Sequence, residues 1–135
     1  MTALTKERNT PERLNKRCND PMAAAVVIFA GALVVLDASG NATKGVTGTG
    51  LTARGVAMAT VDNSAGAAGA ESIETEKGTW RFENDGTDTV DRTHIGGTAY
   101  IVDDQTVAAT DGTGTRSAAG KIVDVDDLGV WVEIA

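Results

Sequence analysis

From residue 23 onward, short apolar or alternating segments are separated by clusters of turn-forming residues, and this spacing limits the possible folds more than any other feature. The segments recur about every 8–12 residues, which is typical of antiparallel β-proteins. The cluster "DASGNATKG" (residues 37–45) and the pair Asp103-Asp104 supply residues that favour turns. No segment after residue 20 has the 3.6-residue periodicity of a helix. The pattern therefore predicts an all-β fold, a small antiparallel β-sandwich or barrel of jelly-roll-like form.

The uncharged run "MAAAVVIFAGALVVL" (residues 22–36) could also be taken for a signal peptide or a membrane anchor. It is shorter than the ~20 residues that span a bilayer. The segment before it is long, contains three acidic residues and ends in Asp20-Pro21. The run also divides at Ala30-Gly31-Ala32 into "AVVIF" and "LVVLD". We therefore predict two buried strands here and no membrane partner.

The last two segments, "KIVDVD" and "VWVEI", are predicted to form a hairpin across residues 127–129. Alternation places Val130, Val132 and Ile134 on one face and Trp131 with Glu133 on the other. A bare apolar edge strand promotes aggregation, so we expect this strand to be central or covered by a partner. We assign Trp131 to a subunit contact, and a core-only role for its ring is the alternative.

The segment "ESIETEKGTWRFEN" (residues 71–84) carries the clearest strand signal. Ile73 and Thr75 alternate with charged residues, and Trp80 and Phe82 continue the pattern. A glycine inside a strand often marks a bulge. We therefore predict one long strand with a bulge at Gly78.

Charge divides the chain into two parts. Residues 1–20 carry five basic and three acidic residues, a net charge of +2, whereas the rest carries −9. An acidic body does not favour nucleic-acid binding, which requires basic surface. Pro11 and Pro21 disfavour a continuous helix. We predict an extended basic arm over residues 1–22, followed by a β-domain over residues 23–135. The candidate binding residues of the arm are Lys6, Arg8, Arg13, Lys16 and Arg17.

No catalytic or metal-ligating arrangement emerges from the residue spacing. The lone Cys18 and the lone His94 are far apart in sequence and have no partners at a recognisable spacing. "DVDDLG" (residues 124–129) resembles the start of a calcium loop, but Leu128 and Ala135 occupy ligand positions, so we interpret it as a hairpin turn. We expect no catalytic residue, no metal and no cofactor, and therefore a non-enzymatic protein.

Four segments resemble the small capsid decoration, or cement, proteins of tailed bacteriophages and prophages. The similarity covers most of the chain and is weakest across residues 14–21 and 62–92. The four segments are "MTALTKERNTPER", "IFAGALVVLDASGNA", "IGGTAYIVDDQTVAATDGTGTRSAAGKIVDVD" and "GVWVEI".

This resemblance implies a structural virion protein. Its partner would be the major capsid protein, which it would bind on the outer surface of the expanded shell after a period in the host cytoplasm. It would form a small homo-oligomer, a trimer in preference to a dimer, and clamp neighbouring capsomers. Two other classes stay open: a β-rich fibre, tail or baseplate module, and a small β-barrel enzyme or sugar-binding module.

Overall fold

The structure is a computed structural model that describes residues 2–135, and the predicted all-β fold is confirmed. Twelve strands are joined by turns and by one short 3-10 turn at Arg92–His94. No helix within the described range is long and apolar enough to cross a bilayer. The strands are β1 (Arg17–Pro21), β2 (Val26–Ile28), β3 (Leu33–Leu36), β4 (Ala42–Lys44), β5 (Thr52–Ala57), β6 (Val61–Asn63), β7 (Ser72–Glu76), β8 (Gly78–Asn84), β9 (Thr98–Ile101), β10 (Thr106–Ala108), β11 (Ala118–Asp126) and β12 (Gly129–Ile134).

The last five strands close into a barrel in the order β10-β8-β12-β11-β9. All neighbours are antiparallel except β10 and β8, which run parallel. Strand β12 lies between β8 and β11, so the expectation that the last strand is central is confirmed. Val130, Val132 and Ile134 are buried, while Glu133 is exposed on the opposite face. The barrel therefore satisfies both edges of this apolar strand.

A five-stranded antiparallel sheet, in the order β1-β7-β5-β3-β4, packs against the barrel. Leu33 and Val35 of β3 join the barrel core, whereas Val34 joins a second core that contains Ile28 of the β2–β6 ribbon. A strand buried on both faces needs a continuous apolar sequence, which "LVVL" supplies. The predicted strands "AVVIF" and "LVVLD" are confirmed as β2 and β3, and Gly31 at φ +89° turns the chain between them.

The prediction of one long strand over residues 71–84 is wrong. Strand β7 belongs to the five-stranded sheet and β8 belongs to the barrel. Lys77 still donates its backbone N–H to Lys16 at 2.7 Å, and Gly78, at φ +152°, then begins the barrel strand. Ile73 consequently enters one core and Phe82 the other. Each half keeps its alternation, so the sequence pattern does not reveal the change of sheet.

The β-structure begins at Arg17, earlier than the expected domain start at residue 23. Strand β1 pairs with β7 along its whole length, from Arg17 opposite Glu76 to Pro21 opposite Ser72. Cys18 is buried and Met22 is fully inaccessible in the second core. Burial of these two apolar side chains moves the end of the arm to residue 16.

Candidate functional site

Residues 2–16 form an exposed arm without helix or strand. Leu14 is 90% exposed and Leu4 is 71% exposed, so neither side chain packs on the body. Arg8 bonds only locally, to the Thr10 hydroxyl at 2.8 Å. Lys6, Arg8 and Arg13 therefore lie on a solvent-exposed segment, and their predicted role in binding stays a prediction. Residue 1 of the predicted arm lies outside the described residues.

The base of the arm is attached to strand β7 and to Lys77, the residue that follows it. The Asn15 side chain accepts a hydrogen bond from Lys77 Nζ at 3.0 Å. Lys16 Nζ lies 3.0 Å from a Glu76 carboxylate oxygen, and Arg17 lies 2.9 Å from Glu74. Exposed pairs of this kind contribute about 0–1 kcal/mol each. The five predicted binding residues thus separate into three on the free arm and two, Lys16 and Arg17, that face carboxylates of their own chain.

Strand β1 is fixed to the sheet by an ion pair that spans β7. The Arg54 guanidinium donates two hydrogen bonds to the Asp20 carboxylate, at 2.8 and 3.1 Å. These bonds raise the pKa of Arg54, against the opposing effect of burial. Both side chains are mostly buried, so this bidentate contact orients the edge strand more firmly than the surface pairs do. Arg13 and Arg17 line the groove beside it.

Trp131 lies on the outer face of the barrel, half-buried between two charged groups. The Arg81 guanidinium carbon is 5.7 Å from the ring centroid, within the range of a cation–π contact. The indole N–H donates to the Asp126 carboxylate at 2.9 Å. Val123 and Leu128 of the same hairpin are also exposed. Trp131 is therefore outside the core, and its predicted role in a subunit contact stays a prediction.

The Asp126 contact predicts a pH-dependent signal from Trp131. The indole hydrogen bond, with backbone bonds from Leu128 and Gly129, lowers the pKa of Asp126 below its ordinary value of 3.8. A carboxyl whose folded pKa is depressed stabilises the hairpin above its unfolded pKa, and this contribution is lost as pH falls through the folded value. We expect the Trp131 indole N–H resonance to shift with a midpoint below 3.8. The Trp80 resonance should stay constant over the same titration because its indole bonds to the Glu76 carbonyl.

This pH series is measured by ¹H–¹⁵N correlation spectroscopy, with Asp126→Asn as the control. The amide cannot titrate, so the Trp131 shift should disappear in the variant. Parallel movement of both indole resonances would contradict the assignment, because it would indicate global acid unfolding.

The other candidates for chemistry occupy structural positions. Cys18 is buried in β1. His94 Nδ1 accepts from the backbone N–H of Asp91 at 2.9 Å and caps the 3-10 turn. Asp126 Oδ1 accepts from the N–H groups of Leu128 and Gly129, which confirms residues 124–129 as part of a hairpin. Within residues 2–135 no group of three or more His, Cys, Asp or Glu could hold a metal ion.

Sequence reasoning missed three of the residues that shape these surfaces. Arg54 and Arg81 meet their partners only across strands, and Asn19 becomes notable only because β1 is an edge. No local motif marks them. No protein-family model, curated protein or solved structure matched this chain, so its functional assignment depends on the resemblance of segments and on the geometry of the arm and its edge strand.

Proposed function

We propose that this protein is a capsid decoration protein that binds the outer surface of a tailed-phage head and cements neighbouring capsomers of the major capsid protein. The observation that carries the proposal is the exposed basic arm, anchored to a β-body at Asn15 and Lys16. The segment resemblance supports the same assignment. In this role the protein acts by binding alone and performs no catalysis.

The arm has the reach and the charge for such a contact. Fifteen residues, 2–16, span about 50 Å when extended. The radius of gyration of a body of this size is only about 14 Å, so the arm can contact a subunit beyond the one under the body. Its basic side chains would face acidic groups of the capsid protein. Because the body is acidic, the arm is the part of the chain best suited to an acidic shell.

Repetition makes weak contacts sufficient. A protein that binds only the assembled shell stabilises it by mass action. A small homo-oligomer engages several capsomers at once, so each contact raises the effective concentration of the next. The Trp131 face is a candidate contact between subunits of that oligomer. The protein would be located on the outside of the virion, and in the host cytoplasm before assembly.

The test is made on purified particles with and without the protein. We expect copy number to follow the number of capsomers, with density for the protein on the outer surface in cryo-microscopy. Heads that lack it should release DNA at a lower temperature. A handful of copies per particle would instead support a fibre, tail or baseplate module, and equal heat resistance of both particles would refute the stabilising role.

A further inference from the structure

Strand β1 forms an open edge of the five-stranded sheet. Lys77 donates to the carbonyl of Lys16 and Met22 donates to the carbonyl of Glu71, so even-numbered residues of this stretch face β7. The alternation of an antiparallel ladder then turns the backbone groups of Arg17, Asn19 and Pro21 away from the sheet. Arg17 and Asn19 each present an N–H and a C=O. Pro21 presents a C=O only.

The other long sheet edges near this strand are closed or partly covered. The barrel closes on itself and has no edge. On the opposite side of the five-stranded sheet, the carbonyl of Ala42 in β4 accepts a hydrogen bond from Ala23 at 2.8 Å, and Ala42 forms a bridge with Met22. Open strand edges pair readily with a further strand. The β1 edge, five residues long, is therefore the longest strand edge at which main-chain pairing is available, since the other edge strands β2, β4 and β6 have three residues each.

We infer that β1 pairs with β1 of a second copy of this chain, antiparallel and across a two-fold axis at Asn19. In this register Asn19 lies opposite Asn19 of the second copy, and Arg17 lies opposite Pro21. The two Asn19 residues exchange N–H···O bonds, and each Arg17 N–H donates to the opposite Pro21 carbonyl. That gives about four main-chain hydrogen bonds and uses every N–H of the edge. Pro21 has no N–H to donate to the opposite Arg17 carbonyl, so the ladder ends there.

The charges along the edge suit a second copy. The uncharged Asn19 lies on the axis and the uncharged Pro21 lies opposite Arg17, so no like charges are directly opposed. In this register, the residues that precede Arg17 in one copy lie next to the Pro21 end of β1 in the other copy. A groove there is lined by Asp20 and Glu71 and by no basic residue. Lys16 of one copy would lie near the Glu71 carboxylate of the other, because Asp20 is already paired with Arg54 of its own chain.

The resulting assembly is an isologous dimer, the second of the two oligomers that the resemblance implies. Residues 2–12 stay outside the pairing and are free for another partner. The inference does not depend on the proposed function, because it concerns the isolated protein.

The test is disulfide cross-linking of the full-length chain in a Cys18→Ser background. The variant Asn19→Cys places two thiols on the axis, where paired Cα atoms are about 5.5 Å apart, within disulfide range. The matched control is Arg17→Cys, also exposed and on the same face. Because Arg17 lies opposite Pro21, the two cysteines at position 17 are offset by four residues along the strands. Their Cα atoms are then about 13 Å apart, which is too far for a disulfide bond.

We expect mild oxidation to convert most of the Asn19→Cys protein to a covalent dimer on a non-reducing gel, while Arg17→Cys stays largely monomeric. Light scattering of the unmodified protein should show a concentration-dependent shift from monomer to dimer. Equal cross-linking of the two variants would overturn the register. A monomer at every concentration, or a trimer, would overturn the two-fold pairing itself.

Discussion

Replacing Gly129 by alanine is expected to destabilise the barrel by at least about 3 kcal/mol, which corresponds to a fall of about 10 °C or more in Tm. Gly129 begins β12 at φ +154°, a conformation that residues with a side chain rarely adopt. A Cβ atom there would lie 2.2 Å from the carbonyl oxygen of Phe82 in β8. Because that oxygen belongs to the backbone of a paired strand, the clash can be relieved only by moving β8 and β12 apart.

Two further glycines separate the effect of the clash from the effect of the backbone angle. Gly120 has a similar clash, since a Cβ atom there would lie 2.2 Å from the Glu133 carbonyl oxygen. Its φ is not in the left-handed region. Gly114 has a φ of +78° with no atom within 4 Å. We expect Gly120→Ala to lose stability on the scale of Gly129→Ala, and Gly114→Ala to lose only about 1–2 kcal/mol. Thermal and denaturant unfolding measure all three, and a loss below about 1 kcal/mol for the two clashing variants would contradict the close strand packing.

Deletion of residues 2–14 is expected to abolish most binding to bare expanded shells while the β-body stays folded. These residues are exposed in the structure and bury no apolar side chain in either core. Ordering them on a shell costs about 1–2 kcal/mol of backbone entropy per residue, so binding requires many contacts along the arm. Because the arm has few apolar anchors, ionic and main-chain contacts would have to supply most of them in the proposed complex, and we expect this binding to weaken as salt rises.

The deletion has to end before Asn15, because Asn15 contacts Lys77, Lys16 contacts Glu76 of β7, and β1 follows directly. A longer deletion through residue 20 would remove an edge strand and the Asp20 partner of Arg54. Weaker binding by such a variant could result from a disrupted β-body and would not report on the arm.

Two sets of arm variants test whether positive charge drives binding: one set removes basic residues and the other removes acidic residues. Replacing Lys6, Arg8 and Arg13 by glutamine should reduce occupancy on shells and flatten its salt dependence. Replacing Glu7 and Glu12 by glutamine makes the arm more basic and should increase occupancy. Sedimentation of decorated shells across a salt series measures both. Equal occupancy for the native, truncated and charge-altered chains would eliminate the arm as a binding element.

Local pattern was sufficient to predict the strands of the 22–36 run and of the C-terminal hairpin. The burial of Val130, Val132 and Ile134 opposite an exposed Glu133 follows from the two-residue period of a strand. The division of residues 22–36 at Gly31 follows from turn chemistry. The exposure of Lys6, Arg8 and Arg13 follows from a polar segment without apolar periodicity. In each case neighbouring residues carry the information, so no knowledge of distant partners is needed.

Only the tertiary structure decided which strands pair beyond the C-terminal hairpin, and where the body begins. The same alternation fits both β7 and β8, so periodicity cannot reveal that the chain changes sheets at Gly78. In sequence, residues 17–21 are indistinguishable from the end of a polar arm. In the structure, Cys18 is buried and pairs with the buried Thr75 of β7, so these residues belong to the body. Asp20 accepts hydrogen bonds from the Arg54 guanidinium, and the Lys16 carbonyl accepts one from the backbone N–H of Lys77. Both contacts join residues that are far apart in sequence. Strand pairing is a contact between distant segments, and its register depends on the geometry of the whole sheet.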